Sequence, residues 1–194
     1  AENGTPGNQV LPNVNATWEK ANKLDVGLDI SLFSNHLQFT ADYYHERYFD
    51  VLQKRGRSIE LIGQGYPAEN IGIDIYHGTE LTATYQSNYK NLNFFITGNA
   101  ALQASDVVFM DEQFQKYDWN VQTGHPVGQR YGLTADGFFQ TAAELNGAAT
   151  IVGYTPHVGD FKYKDLNADG AIDQLDISPV GKQKPIIFQS SRVL

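Results

Sequence analysis

The chain has 194 residues, carries 14 basic and 22 acidic side chains for a net charge of −8, and contains no cysteine. That balance excludes nucleic acid as a partner, because phosphates need a basic footprint. The missing thiols exclude a disulfide framework and a cysteine-type zinc site.

Aromatic residues are frequent (11 Tyr, 11 Phe, 2 Trp), as is glycine at 18, and this mixture favours strands and turns over helices. No apolar run is long enough for a transmembrane helix, a test that says nothing about a transmembrane barrel. Residues 1–17, rich in Gly, Pro and Asn, predict irregular backbone and do not read as a signal peptide.

A first strand is predicted from Trp18. Val26, Leu28, Ile30 and Leu32 share one face, and Asp25, Gly27, Asp29 and Ser31 share the other. The polar turn Ser34-Asn35-His36 separates it from a second strand, in which Leu37, Phe39, Ala41 and Tyr43 alternate with Gln38, Thr40, Asp42 and Tyr44. The two read as an antiparallel hairpin. Residues 53–70 read as a longer loop, and a third strand runs from about Ile71 to Gln86. A short turn at 87–91 leads to a fourth strand, with Leu92, Phe94, Ile96, Ala100 and Leu102 facing one way. Residues 105–184 break the rhythm, with one helical turn expected near Thr141–Leu145, and alternation resumes at Pro185-Ile-Ile-Phe188.

A loop this long does not suit a compact soluble domain. Connections that run short, longer, short, very long do suit an outer-membrane barrel. The expected fold is all-β: antiparallel strands of a partial transmembrane β-barrel with one long extracellular loop. Residues 1–104 would form barrel strands, 105–184 the loop, and 185–194 the start of a further strand. Asp29, Asp42, Asn93, Thr97 and Asn99 suit a wet lumen, the opposite face suits lipid, and Tyr43, Tyr85 and Trp18 are candidate interfacial aromatics. The same alternation permits a soluble β-sandwich with one wet face, so the pattern alone leaves both open.

Asp165-Leu-Asn-Ala-Asp-Gly-Ala-Ile-Asp-Gln-Leu-Asp176 spaces its oxygens like a calcium loop. Asp165, Asn167, Asp169, Asp173 and Asp176 stand at positions 1, 3, 5, 9 and 12, the carbonyl of Ala171 at position 7, and Gly170 at the sharp turn. Ile172 would point away and pack. One reading is a structural Ca²⁺ site; the other is a polar turn whose carboxylates cap backbone N–H groups. The final Asp, where such loops carry Glu, weakens affinity. Tyr117, Trp119, Tyr131 and Tyr154 are candidates to stack on sugars, or to hold the loop together.

No catalytic residue can be picked out, and no enzyme is expected. Gly63-Gln-Gly-Tyr-Pro-Ala68 carries a proline and precedes a strand, which rejects a dinucleotide site. His45-Glu46 has Phe49 where a zincin needs His.

Asn15-Ala-Thr-Trp-Glu19, Val26-Gly-Leu-Asp29, Leu37-Gln-Phe-Thr-Ala-Asp-Tyr-Tyr44 and Asp50-Val-Leu52 resemble the C-terminal barrel of SusC/RagA-type TonB-dependent outer-membrane transporters of Bacteroidetes. Asn70-Ile-Gly72, Gly78-Thr-Glu-Leu81, Gly124–Gly132, Asp136–Gln140, Gly159–Tyr163 and Asp165–Gly170 follow in the family's order, as do Asp173, Asp176 and Gly181 to Pro185. The resemblance covers nearly the whole chain and rests on order and spacing together. It implies uptake of glycans or peptides across the outer membrane, powered through TonB, with a SusD-like surface lipoprotein as partner. Such a barrel has about 22 strands, and the family's plug, TonB-contacting segment and closing strands are not seen. The chain is therefore expected to be an internal fragment that transports nothing alone, TonB being reached through the missing plug region. The reading from another class is a secreted Ca²⁺-binding β-domain for adhesion or carbohydrate binding.

Overall fold

The structure is a computed structural model that describes residues 12–56, 67–90, 92–181 and 186–193. The irregular start at 1–11, most of the loop at 57–66, and Pro185 lie outside the described residues. The chain divides into two compact units, one of Ala1–Asp111, Thr123–Val127 and Gln183–Leu194, the other of Glu112–Gln122 and Gly128–Lys182.

The first unit is built on β1 (Lys20–Leu32), β2 (Leu37–Gln53), β3 (Glu69–Tyr89) and β4 (Leu92–Phe109), each antiparallel to the next. The first hairpin closes where Phe33, Ser34 and Asn35 adopt positive φ and the His36 N–H donates to the Phe33 carbonyl at 3.1 Å. Period-two alternation becomes two-faced structure because the registers align the faces across strands. Leu24, Val26, Leu28, Ile30 and Leu32 lie opposite His45, Tyr43, Ala41, Phe39 and Leu37. The row continues through Thr79, Leu81, Ala83 and Tyr85 of β3 to Leu102, Ala100, Gly98 and Ile96 of β4. Val26 and Leu28 of this row are 56% and 55% exposed.

The band has a polar end. Level with Leu24 the same face carries His45 stacked against His77 (ring centroids 6.3 Å apart), and beyond them Asn22 and Arg47. Tyr43 and Tyr85 both lie on the band, six register steps apart along β2, about 20 Å. Trp18, the third expected interfacial aromatic, precedes β1 and lies six residues beyond Leu24, past this polar end.

Near its end β2 is bulged. Asp50 has φ 58°, the register slips on either side of Val51, and the side chain of Asn70 donates to the carbonyls of Asp50 and Thr17 at 2.8 and 2.9 Å. The fourth strand runs on to Phe109, past the break expected at 105, because Ser105, Asp106 and Val107 keep their ladder to Tyr76, Ile75 and Asp74.

The second unit contains only short elements: β5 (Arg130–Leu133), β6 (Ala135–Phe138), α1 (Ala142–Gly147), β7 (Thr150–Ile151), β8 (Phe161–Tyr163), β9 (Ala171–Ile172) and β10 (Ile177–Val180). β5 pairs with β10 and β6 with β8, both antiparallel, while β7 runs parallel to β9. The helical turn falls where it is expected because Thr141 caps it, its hydroxyl accepting from the Glu144 N–H at 3.3 Å. Phe139 and Ile172, at 2% and 3% exposure, are the buried apolar side chains of this unit among the described residues.

The chain then returns to the first unit as β11 (Ile186–Val193), antiparallel to β4. The sheet order is β1-β2-β3-β4-β11, and the sheet is open, with β1 and β11 at its edges.

Candidate functional site

The face of the sheet opposite the apolar band is polar and carries a groove. Asp25, Asp42, Tyr44, Glu46, Asp74 and Glu80 line this groove of about 750 Å³, joined by Tyr48 and Tyr76. Backbone register gathers them from three strands: Asp25 lies opposite Tyr44, Asp42 opposite Glu80, and Tyr48 opposite Asp74.

Two glycines make room for this wall. A methyl group on Gly27 would come to 2.5 Å from Asp42 Oδ1, and one on Gly78 to 2.6 Å from both the Tyr44 hydroxyl and the Leu102 carbonyl. The Lys23 ammonium donates to Glu46 Oε1 and to the Tyr48 hydroxyl, each at 2.9 Å, and that hydroxyl donates to Glu46 Oε2 at 2.9 Å. Tyr48 meets Tyr76 edge to face at 5.5 Å. Asp74 is treated differently: it is 9% exposed, and its Oδ1 is buried with no hydrogen-bond partner. A buried carboxylate oxygen without a donor is costly.

In the second unit the Asp165–Asp176 loop folds through its own backbone. Gly170, φ 85°, takes the left-handed conformation that the sharp turn needs. Its N–H donates to Asp165 Oδ2 at 2.8 Å. Asn167 Oδ1 accepts from the Asp169 N–H at 3.0 Å, Asp169 Oδ1 from Ala171 at 2.9 Å, and Asp173 Oδ1 from Leu175 at 2.7 Å. Asp176, 0% exposed, accepts from the N–H groups of Leu166 (2.7 Å) and Asp173 (3.0 Å). Ile172 packs inward, as its position in the loop predicts. Asp165 Oδ1 is buried without a partner. Among the described residues, no three His, Cys, Asp or Glu side chains gather closely enough to hold a metal.

The four candidate sugar-stacking residues have their polar tips engaged within the same unit or rings stacked. Tyr117 stacks on Trp119 at 4.5 Å and 5°. The Trp119 indole N–H donates to the Leu175 carbonyl at 2.8 Å, and the Tyr131 hydroxyl to the Val121 carbonyl at 2.7 Å. Tyr154 lies in another turn, its hydroxyl donating to Asp160 Oδ2 at 2.8 Å. Asp160 also accepts the His157 N–H at 2.8 Å. That backbone donor, then the Tyr154 hydroxyl, hold its carboxyl below the ordinary value of 3.8. The same bond raises the Tyr154 phenol.

Reading the sequence one strand at a time picks out no acidic cluster. Asp25, Glu46, Asp74 and Glu80 become neighbours only through register, although each stands on the polar parity of its strand. The signal available was that parity taken over three strands at once.

Comparison with known proteins agrees with this architecture. A family model described as TonB dependent receptor-like, beta-barrel matches residues 1–181. TonB-dependent receptor P3 of Formosa agariphila is 29% identical over 189 residues, covering 89% of this chain and 18% of the relative. TonB-dependent receptor P26 of the same organism is 28% identical over 188 residues, covering 91% and 19%. The chain thus spans about a fifth of the curated relatives it matches. Among solved structures, the RagAB peptide importer in an open-open state superposes with a TM-score of 0.64 at 17% identity, over 92% of this chain and 19% of that one. A second RagAB peptide transporter structure gives 0.61 at 15%, over 88% and 18%. With the match running over nearly its whole length and the strands two-faced as a membrane barrel requires, the chain belongs to the TonB-dependent receptor-like β-barrel family of the outer membrane.

Proposed function

We propose that this chain is a section of barrel wall in a SusC/RagA-type TonB-dependent transporter that imports peptides or oligosaccharides with a SusD-like lipoprotein as partner. The observation that carries this is the sheet's division into a continuous apolar band and a polar, grooved opposite face. In a barrel the band meets lipid and the polar face lines a wet lumen. The band spans nine residues of β1, from Leu24 to Leu32, close to the length a tilted strand needs to cross the hydrocarbon. A soluble adhesion domain would leave that band in water.

Transport of this kind needs no bond-making by the wall. The lumen side chains bind and release cargo, and energy reaches the barrel through TonB contacts in other parts of the full-length protein. The short turns of the two hairpins then lie at the periplasmic end, and the long excursion between β4 and β11 at the extracellular end. Uptake of labelled peptide and oligosaccharide mixtures by cells carrying the complete receptor tests the reading. Uptake should vanish when TonB is deleted, and uptake indifferent to TonB would overturn the assignment.

Within the excursion, the same reading gives the Asp165–Asp176 loop a structural Ca²⁺. Support comes from the ligand spacing and from the unpartnered Asp165 Oδ1. Asn167, Asp169, Asp173, Asp176 and the Ala171 carbonyl would supply the other oxygens, several exchanging backbone N–H donors for the ion. Calorimetric titration decides it, and no heat of binding at millimolar Ca²⁺ retires the site in favour of a purely hydrogen-bonded turn.

A further inference from the structure

We propose that the grooved polar wall around Asp74 binds an organic cation, a protonated amine or guanidinium carried by the cargo. This deepens the transport reading and rests on it only in taking the polar face as the lumen.

The wall is acidic in excess of its own counter-charges. Lys23 is committed to Glu46 and Tyr48. Asp25, Asp42, Asp74 and Glu80 face the same groove, and none of them forms an ion pair with a described residue. Mutual repulsion across a shared groove is relieved by a bound positive group.

Asp74 supplies an independent pointer. It is about nine-tenths buried, it lines the groove, and its Oδ1 has no donor. Its neighbours offer nothing to that oxygen: cross-strand stand Tyr48, whose hydroxyl is already spent on Glu46, and Val107, which is apolar. The residue lines the groove, and a turn of its carboxylate about Cβ–Cγ would bring that covered oxygen to an N–H arriving from the groove.

The geometry also separates an organic cation from a metal ion. A metal needs three or more oxygens within one small shell, and among the described residues of this groove no three carboxylates gather that closely. Carboxylates spread around about 750 Å³ suit a cation carried on a larger molecule. Tyr44 and Tyr76 line the same groove and present rings over which ammonium or guanidinium groups settle favourably.

The test is equilibrium binding to the complete receptor that carries this segment, purified in detergent, with trilysine, trialanine, triglutamate and CaCl₂ as separate titrants. Trilysine should bind at least about tenfold more tightly than the other two peptides, and its affinity should fall with added salt. Asp74→Asn, nearly isosteric, should weaken trilysine by about tenfold while leaving trialanine unchanged. Glu80→Gln is the second variant, should Asp74→Asn fail to give the compact, heat-modifiable barrel on a gel. A glucosamine trimer tells whether the ammonium is read on a sugar as well as on a peptide; its binding, lost in the same variants, supports the site.

Charge-blind peptide binding, or trilysine affinity unmoved by both variants, overturns the proposal. So does stoichiometric displacement of trilysine by Ca²⁺, which would make the wall a metal site. Binding in detergent does not depend on energised uptake. TonB-dependent uptake with charge-blind binding leaves the transport reading standing and removes this one, while charge-selective binding without uptake does the reverse.

Discussion

The two units hold themselves together in different ways. In the first, residue after residue along β1 to β4 repeats one interaction, the antiparallel ladder, and side chains only choose a face. In the second, strands of two to four residues provide few ladder bonds, and single side chains hold the backbone. Trp119 reaches Leu175, Asn120 reaches Ile177, and Asp176 reaches both Leu166 and Asp173. A repeated ladder spreads its stability over many equivalent bonds, so its weak point is the environment of a face. A pinned loop concentrates stability in a few atoms, so its weak points are individual residues.

That difference predicts where a single substitution hurts most. Leu28→Arg puts a charge in the middle of the apolar band, more than half exposed and flanked across the ladder by Ala41. In a lipid bilayer it should cost about 2–4 kcal/mol, read as a shift in the urea midpoint of the complete receptor refolding into vesicles. Ser31→Arg, on the opposite parity of the same strand, should cost less than about 1 kcal/mol, because the lumen face stays wet. Equal effects at the two positions would mean that the faces are not distinguished by lipid.

The same contrast explains what could be read from the chain beforehand. Val26, Leu28, Ile30 and Leu32 announce a strand and its face because a period of two survives over the whole element. β7 and β9, at two residues each, are too short for any period, and their parallel pairing depends on residues twenty-one apart. Gly170 was legible because only a sharp turn explains its place among the acids, and its φ of 85° agrees. The complete burial of Asp176 was not, since a terminal acid in such a loop reads as a solvated ligand. The polar wall was half legible. Asp42 falls on the polar face by parity alone, whereas the isolation of Asp74 shows only once β2, β3 and β4 are paired and set Tyr48 and Val107 beside it.

The second expected effect belongs to the pinned unit. Asp176→Ala removes the acceptor of two N–H groups at once, those of Leu166 and Asp173, at a position with no exposure. Leaving both donors unsatisfied should cost about 2–3 kcal/mol locally. Hydrogen exchange should accelerate at Leu166 and Asp173 and across β9 and β10, with β1 to β4 unchanged. Acceleration that spread evenly through the sheet would contradict the separation of the chain into two compact units.

The smallest expected effect sharpens the comparison through pH. Asp160 accepts from the His157 N–H and the Tyr154 hydroxyl, and both bonds favour its ionised form, so its folded pKa lies below the ordinary 3.8. A depressed carboxylate binds fewer protons folded than unfolded near that value, so stability falls as pH falls. The contribution is complete above about 3.8 and is lost as the pH drops through the lower folded value. Tyr154→Phe deletes the smaller of the two causes, leaves the His157 donor, and should move the Asp160 titration part of the way back up. A carboxyl-detected NMR titration of the chain reads this directly. The turn at Tyr154–Asp160 should loosen in acid sooner in the variant, with exchange at His157 accelerating first. A titration identical in the two proteins would show that the Tyr154 hydroxyl does not act on this carboxylate, and would leave the tyrosine's polar tip available for other partners.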